Sequence, residues 1–210
     1  KKLTAIDPNS TNPYQLTEAD RTVIGNTTPK FSGGFGLNAT YKGFDMSMFF
    51  NFMYDFDVLN ANKIMLTTWA DNKENNFLMD IASDKRWRNF DDMGNEIRYS
   101  PEVLAEFNKN ATMWNPTSIG RPICMSYAVE DGSFLRLNSA TLGYTLPSVW
   151  TKKVGLSKVR FYVSGNNLFT LTGYSGYDPE VNIATGLTPN IDYNRYPRSR
   201  TYTFGAQLTF

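Results

Sequence analysis

Two pairs of carboxylates are the first residues in this chain that could do chemistry. Asp178 and Glu180 flank Pro179 beside Tyr177, and Glu130 adjoins Asp131. To cleave a glycosidic bond as acid and base, a pair needs a pocket and one member with a raised pKa. Both pairs lie among turn formers, and we read them as turn and loop acids. Trp69, Trp87 and Trp114, with Tyr174 and Tyr177, offer flat faces that suit the apolar side of a sugar ring or a partner's side chain. They are the candidate substrate or partner contacts. With His 0, histidine triads, histidine general bases and most zinc sites are excluded. Cys124 is the single cysteine, so there is no internal disulfide framework and no Cys-rich zinc site. No catalytic residue, metal or cofactor is assigned. Lys+Arg 21 against Asp+Glu 20 gives a net charge of +1, which makes no electrostatic case for nucleic acid.

The elements that must position these residues are strands. From Arg200 to Phe210 the chain alternates: Tyr202, Phe204, Ala206, Leu208 and Phe210 on one side, Thr201, Thr203, Gly205, Gln207 and Thr209 on the other. Apolar against small polar at a period of two fits a transmembrane β-strand between lipid and a wet lumen, and also a half-buried strand of a soluble sandwich. A mean hydropathy of -0.41 is compatible with a membrane barrel, whose strands are half polar. No stretch approaches the ~20 apolar residues of a membrane helix. An aromatic content of 15% suits interfacial girdles.

The same alternation runs from Phe31 to Tyr41 and returns from Phe44 to Tyr54 through Lys42-Gly43, a tight hairpin signal. The segment from Phe56 to Asp131 lacks it and reads as a long outer loop, with one helix expected after Ser100-Pro101 and Val103, Leu104 and Phe107 on its apolar side. Between Gly132 and Tyr144, Leu135 and Leu137 share one phase and Ala140, Leu142 and Tyr144 the other, which predicts a bulge near Asn138-Ser139. Val159–Phe169 is a further strand, followed by a second long loop, about 171–199. Arg136, Arg160, Asp45 and Asp55 lie among the strands as candidate lumen-facing charges.

The fold class is therefore all-β, with about five antiparallel strands whose connections alternate short and long, as outer-membrane barrels arrange them. So few strands cannot close, and open edges are not tolerated in lipid, so the expectation is one segment of a larger barrel. A start at Lys1 without an initiator Met points the same way, to a processed or partial chain. The alternatives are a secreted carbohydrate-binding or hydrolytic β-sandwich and a purely structural surface protein.

Several segments together resemble SusC/RagA-type TonB-dependent transporters of Bacteroidota. They are Asp20-Arg-Thr-Val-Ile-Gly-Asn26, Pro29-Lys-Phe-Ser-Gly-Gly-Phe35, Tyr41-Lys-Gly-Phe-Asp-Met-Ser47, Val129-Glu-Asp-Gly-Ser-Phe-Leu-Arg-Leu137 and Thr141-Leu-Gly-Tyr-Thr-Leu-Pro147. Phe161-Tyr-Val-Ser-Gly-Asn-Asn-Leu-Phe169, Thr172-Gly-Tyr-Ser-Gly-Tyr-Asp-Pro-Glu180 and Tyr196-Pro-Arg-Ser-Arg-Thr-Tyr-Thr-Phe-Gly205 complete the set. The resemblance implies the carboxy-terminal part, residues 1–210, of a roughly 22-stranded barrel, with the plug domain outside this chain. It implies outer-membrane import of oligosaccharides or peptides, a SusD-like surface lipoprotein as lid, TonB as energy source through the plug, and membrane lipid around the wall. The carboxy terminus falls on the periplasmic side, where Tyr202, Phe204, Leu208 and Phe210 resemble the signal read by barrel-assembly machinery. Asp7-Pro-Asn-Ser-Thr-Asn12 lacks the Gly of a Gly- and Asp-rich run often found there in the family, and the loop from Phe56 to Asp131 matches only loosely, so neither a metal nor a substrate identity carries over.

Overall fold

The computed structural model describes residues 21–68, 76–81, 85–115, 124–181 and 189–210. Its main feature is an antiparallel sheet made of β1 (Phe31–Tyr41), β2 (Phe44–Tyr54), β5 (Phe134–Thr145), β6 (Lys158–Thr172) and β8 (Thr201–Thr209), in the spatial order β1-β2-β5-β6-β8. Between these strands the chain forms β3 (Asp57–Asn60), β4 (Val129–Asp131) and β7 (Ile191–Asp192), a small second sheet ordered β4-β3-β7. Three short helices, α1 (Ala61–Met65), α2 (Pro101–Phe107) and α3 (Ser148–Thr151), lie in the connections.

The first hairpin closes as its sequence requires. Lys42 (φ 46°) and Gly43 (φ 90°) both adopt left-handed backbone, the geometry of a two-residue turn whose twist matches the strands. A Cβ at Gly43 would also stand 2.9 Å from the carbonyl oxygen of Thr145 on β5.

Register sorts every strand into two faces. Ala39, Met46, Leu142, Val163 and Phe204 form one unbroken apolar row across all the strands of the main sheet. The neighbouring row, Asn38, Ser47, Thr141, Ser164 and Thr203, is uncharged and polar throughout. On the apolar face, aromatic rows stand toward the ends: Tyr41, Phe44, Tyr144 and Phe161 near the short turns, and Phe31 with Tyr54 at the opposite end. From Phe31 to Tyr41 the strand runs roughly 33 Å. Tilted at about 45° this covers about 23 Å of membrane normal, against an apolar band of about 25 Å in outer-membrane barrels.

The bulge falls at Asn138. Phe49 pairs with Ser139 and Phe50 with Leu137, leaving Asn138 unpaired, and the β5–β6 register shifts at the same place. That extra residue returns Leu135, Leu137, Ala140, Leu142 and Tyr144 to one face despite their opposite parity.

Departures from polarity on the other face have partners. Met53 and Phe134 pack into the buried cluster of Phe56, Val58, Tyr174 and Val181. This cluster is the core of the molecule, and it lies above the sheet, at the end carrying the long connections. The Phe49 ring lies over Gly34, where a Cβ would come within 2.8 Å of it. Arg160 reaches across β5 to Asp45 (2.9 and 2.5 Å), over Gly143, whose missing side chain leaves the room.

Several expected boundaries change. The stretch from Phe56 to Asp131 is not one open loop, because β3, α1, α2 and β4 fold within it. The strand expected to end at Phe169 continues to Thr172, so the second long connection starts later than 171. Helix α2 forms where Ser100-Pro101 places it, and the Leu104 amide donates to the Ser100 carbonyl (2.9 Å), but the Ser100 hydroxyl makes no capping bond. Leu104 and Phe107 are half-buried while Val103 is exposed. Asp55 lies in the turn after β2, at φ 58°, paired with Lys30.

Candidate functional site

The two long connections meet over the end of the sheet and enclose a cavity of about 1030 Å³. One wall comes from Asn60, Asn62, Lys63 and Leu66 on and around α1, and another from Leu78, Met79 and Asp80. The facing walls are Ser175, Gly176 and Tyr177, and Asp192 with Asn194, Arg195, Tyr196 and Pro197. Asn60 caps α1 by accepting from the Lys63 amide (3.2 Å), which fixes where Asn62 and Lys63 project.

Glu130, at the centre of β4, ties these walls together. Its carboxylate accepts from Asn60 Nδ2 (3.0 Å), from the Ser175 amide (3.0 Å) and hydroxyl (2.9 Å), and pairs with Lys63 Nζ (3.1 Å). Burial opposes its ionisation, yet the bonds from Ser175, Lys63 and Asn60 hold its pKa below the ordinary glutamate value. A general acid would need the opposite shift, so Glu130 acts here as a structural anion. The Leu59 amide donates to the Asn190 carbonyl (3.0 Å) and the Asn194 amide to Asn62 Oδ1 (3.0 Å), which docks β7 and the segment after it.

Asp178 and Glu180 bind the polar face of the sheet through Arg136. Arg136, 1% exposed, donates to Asp178 (2.5 Å) and stands 3.7 Å from Glu180, which also receives Arg198 (2.6 Å). The Arg136 guanidinium also lies over the Phe134 ring (5.3 Å). This fastens the 173–181 turn, and with it Tyr177, to β5.

The candidate aromatics occupy different places. Tyr177 lines the cavity and is almost fully exposed. Tyr174 is buried, and its hydroxyl donates to Asp192 (2.7 Å), so it supports the floor; burial and Asp192 both push its pKa upward. Trp114 packs edge-on against Tyr127 (5.2 Å) and donates to the Thr67 carbonyl (3.2 Å). Trp87 stands half-exposed in the outer 85–115 region, donating to Asn89 (3.2 Å), away from the cavity lining. Trp69 lies outside the described residues. Tyr202, Phe204 and Leu208 stand exposed on the apolar face of β8, and Phe210 follows its last residue.

Tyr196, Arg195, Asn62 and Met79 also line the cavity, outside the candidates that residue type alone picks out. Tyr196 carried a signal, standing before Pro197 in a loop. Exposed Tyr177 and Tyr196 with Leu66, Leu78 and Met79 suit stacking and apolar contact, and Arg195 suits an anionic group.

No protein-family model matches this sequence. TonB-dependent receptor P3 of Formosa agariphila is 35% identical over 202 residues, covering 93% of this chain and 18% of that protein. TonB-dependent receptor SusC of Bacteroides thetaiotaomicron is 38% identical over 88 residues, 40% of this chain and 8% of that receptor. The RagAB peptide importer in its closed-closed state superposes with a TM-score of 0.66 at 25% identity, over 90% of this chain and 18% of that one. This chain is a homologue of SusC/RagA-type TonB-dependent receptors. Its sheet corresponds to the carboxy-terminal part of such a barrel. The open-open state of the same importer matches about equally, with a TM-score of 0.65. TonB-dependent receptors are outer-membrane proteins, and the face segregation of the SusC/RagA-like sheet suits that setting. A sandwich would need a second sheet over the apolar face; among the described residues, Phe31, Phe35, Leu37, Phe44, Phe161 and Phe204 on that face are exposed.

Proposed function

We propose that this chain forms wall, inner surface and outer loops of an active importer in the bacterial outer membrane, with its carboxy terminus on the periplasmic side. The importer takes oligosaccharides or peptides without covalent chemistry. Residues 1–210 are its carboxy-terminal barrel part, and a plug domain elsewhere in the protein receives energy from TonB. A SusD-like lipoprotein closes over the outer loops, where Trp87, Phe90, Met93 and Tyr99 are exposed. Substrate closes such a lid only by binding the closed state more tightly than the open one.

The observation that carries this reading is the cavity, built jointly by both long connections and locked to the inner wall through Arg136. Similar likeness to closed-closed and open-open states of one importer supports a wall that stays fixed while other parts move. The test is to extract the full-length protein from membranes in mild detergent, identify what co-purifies, and measure uptake of candidate glycans and peptides. A stoichiometric surface lipoprotein, with uptake reduced on the order of tenfold by Tyr177→Ala with Tyr196→Ala, is the expected result. A soluble, unpartnered protein would overturn the reading.

A further inference from the structure

The connection from β5 to β6, residues 146–157, is a compact foot at the short-turn end of the sheet. Pro147 leads into α3, the Trp150 amide donates to the Pro147 carbonyl (3.0 Å), and the Leu156 amide returns to the Thr151 carbonyl (3.1 Å). Gly155, at φ 74°, ends the turn. Thr151 is buried inside it, while Val149, Trp150 and Val154 are held exposed. In water this arrangement is inverted, because the turn buries its threonine and displays its apolar side chains.

Position accounts for it. The foot adjoins the apolar face: Val159 lies on that face yet is 5% exposed, where α3 packs against β6, whereas Phe161, next along the face, is 51% exposed. It stands just beyond the aromatic row of Tyr41, Phe44, Tyr144 and Phe161, at the level where lipid headgroups begin. Lys152 and Lys153 are exposed on the foot, and Lys42 lies over the Tyr41 ring (5.2 Å) at the same end. The nearby Asp45 is turned to the other face and held by Arg160, and among the described residues no carboxylate pairs with Lys152 or Lys153.

We propose that residues 146–157 bind anionic phospholipid, with Val149, Trp150 and Val154 entering the acyl boundary and Lys152 and Lys153 holding the headgroup phosphate. The inference rests on the transmembrane reading of the sheet. Apolar anchors beside lysines are the combination that binds a charged leaflet rather than a neutral one.

The full-length protein, in vesicles of phosphatidylethanolamine with or without phosphatidylglycerol, provides the test. The emission difference between wild type and Trp150→Phe isolates Trp150 from the other tryptophans. This difference should be quenched by lipids brominated on the acyl chain and shielded from aqueous acrylamide. Lys152→Gln with Lys153→Gln should lower retained phosphatidylglycerol, measured by lipid mass spectrometry after detergent extraction, on the order of tenfold. Acrylamide-accessible Trp150 in a correctly inserted protein, or unchanged phosphatidylglycerol retention, overturns the inference alone. Failure of the protein to insert at all overturns the transmembrane reading beneath it.

Discussion

Arg136 is enclosed by the turn that supplies Asp178 and Glu180, and removing its charge would strand Asp178 in a poorly solvated site and leave Glu180 with Arg198 alone. Breaking a buried pair from one side costs about 3–5 kcal/mol. Arg136→Met should therefore release the 173–181 turn while the strands persist, seen as faster amide exchange across that turn with unchanged protection in β5. Glu130 makes the complementary prediction in pH. Its folded pKa lies below the ordinary glutamate value, so its stabilisation is present above that value and is lost as pH falls through the folded pKa. Protection factors in residues 59–63 and 175–177, taken relative to intrinsic exchange at each pH, should fall on acidification below the ordinary glutamate range. Glu130→Gln should flatten this dependence while weakening the Lys63 contact; an unaltered pH profile in that variant would refute the assignment.

At the scale of elements, one residue governs which way half of β5 faces. Deleting Asn138 removes the bulge and forces either Arg136 toward lipid or Ala140 and Leu142 toward the inner side. The deletion should abolish the folded, heat-modifiable band of the full-length protein on gels, whereas Asn138→Ala, which keeps the residue count, should retain it. This bulge was legible in the sequence because alternation changes phase at Asn138-Ser139, and the first hairpin because Lys42-Gly43 joins two runs of period two. The platform above the sheet was not. It depends on contacts such as Asn60 with Glu130, 70 residues apart, and Asn194 with Asn62, 132 apart, and no local period announces them. For the same reason the tryptophans stood out by type alone, while the cavity wall formed by Tyr196 and Arg195 emerges only once β7 lies beside β3.

Across the whole molecule, the proposed transporter wall sets the apolar face against lipid and the polar face against water. Leu37 and Asn38 test it with the smallest possible change, because they are adjacent on β1 and point to opposite faces. A lysine at a lipid-facing midplane position costs about 2–4 kcal/mol, and one facing the lumen costs little. Leu37→Lys should lower the stability of the full-length protein in vesicles by that amount, read from urea unfolding, and Asn38→Lys should leave it nearly unchanged. The most direct measurement places a spin label at each position in turn, with Cys124 replaced by Ser, and compares collisions with oxygen and with a water-soluble nickel chelate. A label at residue 37 that meets oxygen but not nickel, beside one at residue 38 that meets nickel, is the expected result. Nickel reaching both positions equally would contradict the membrane wall.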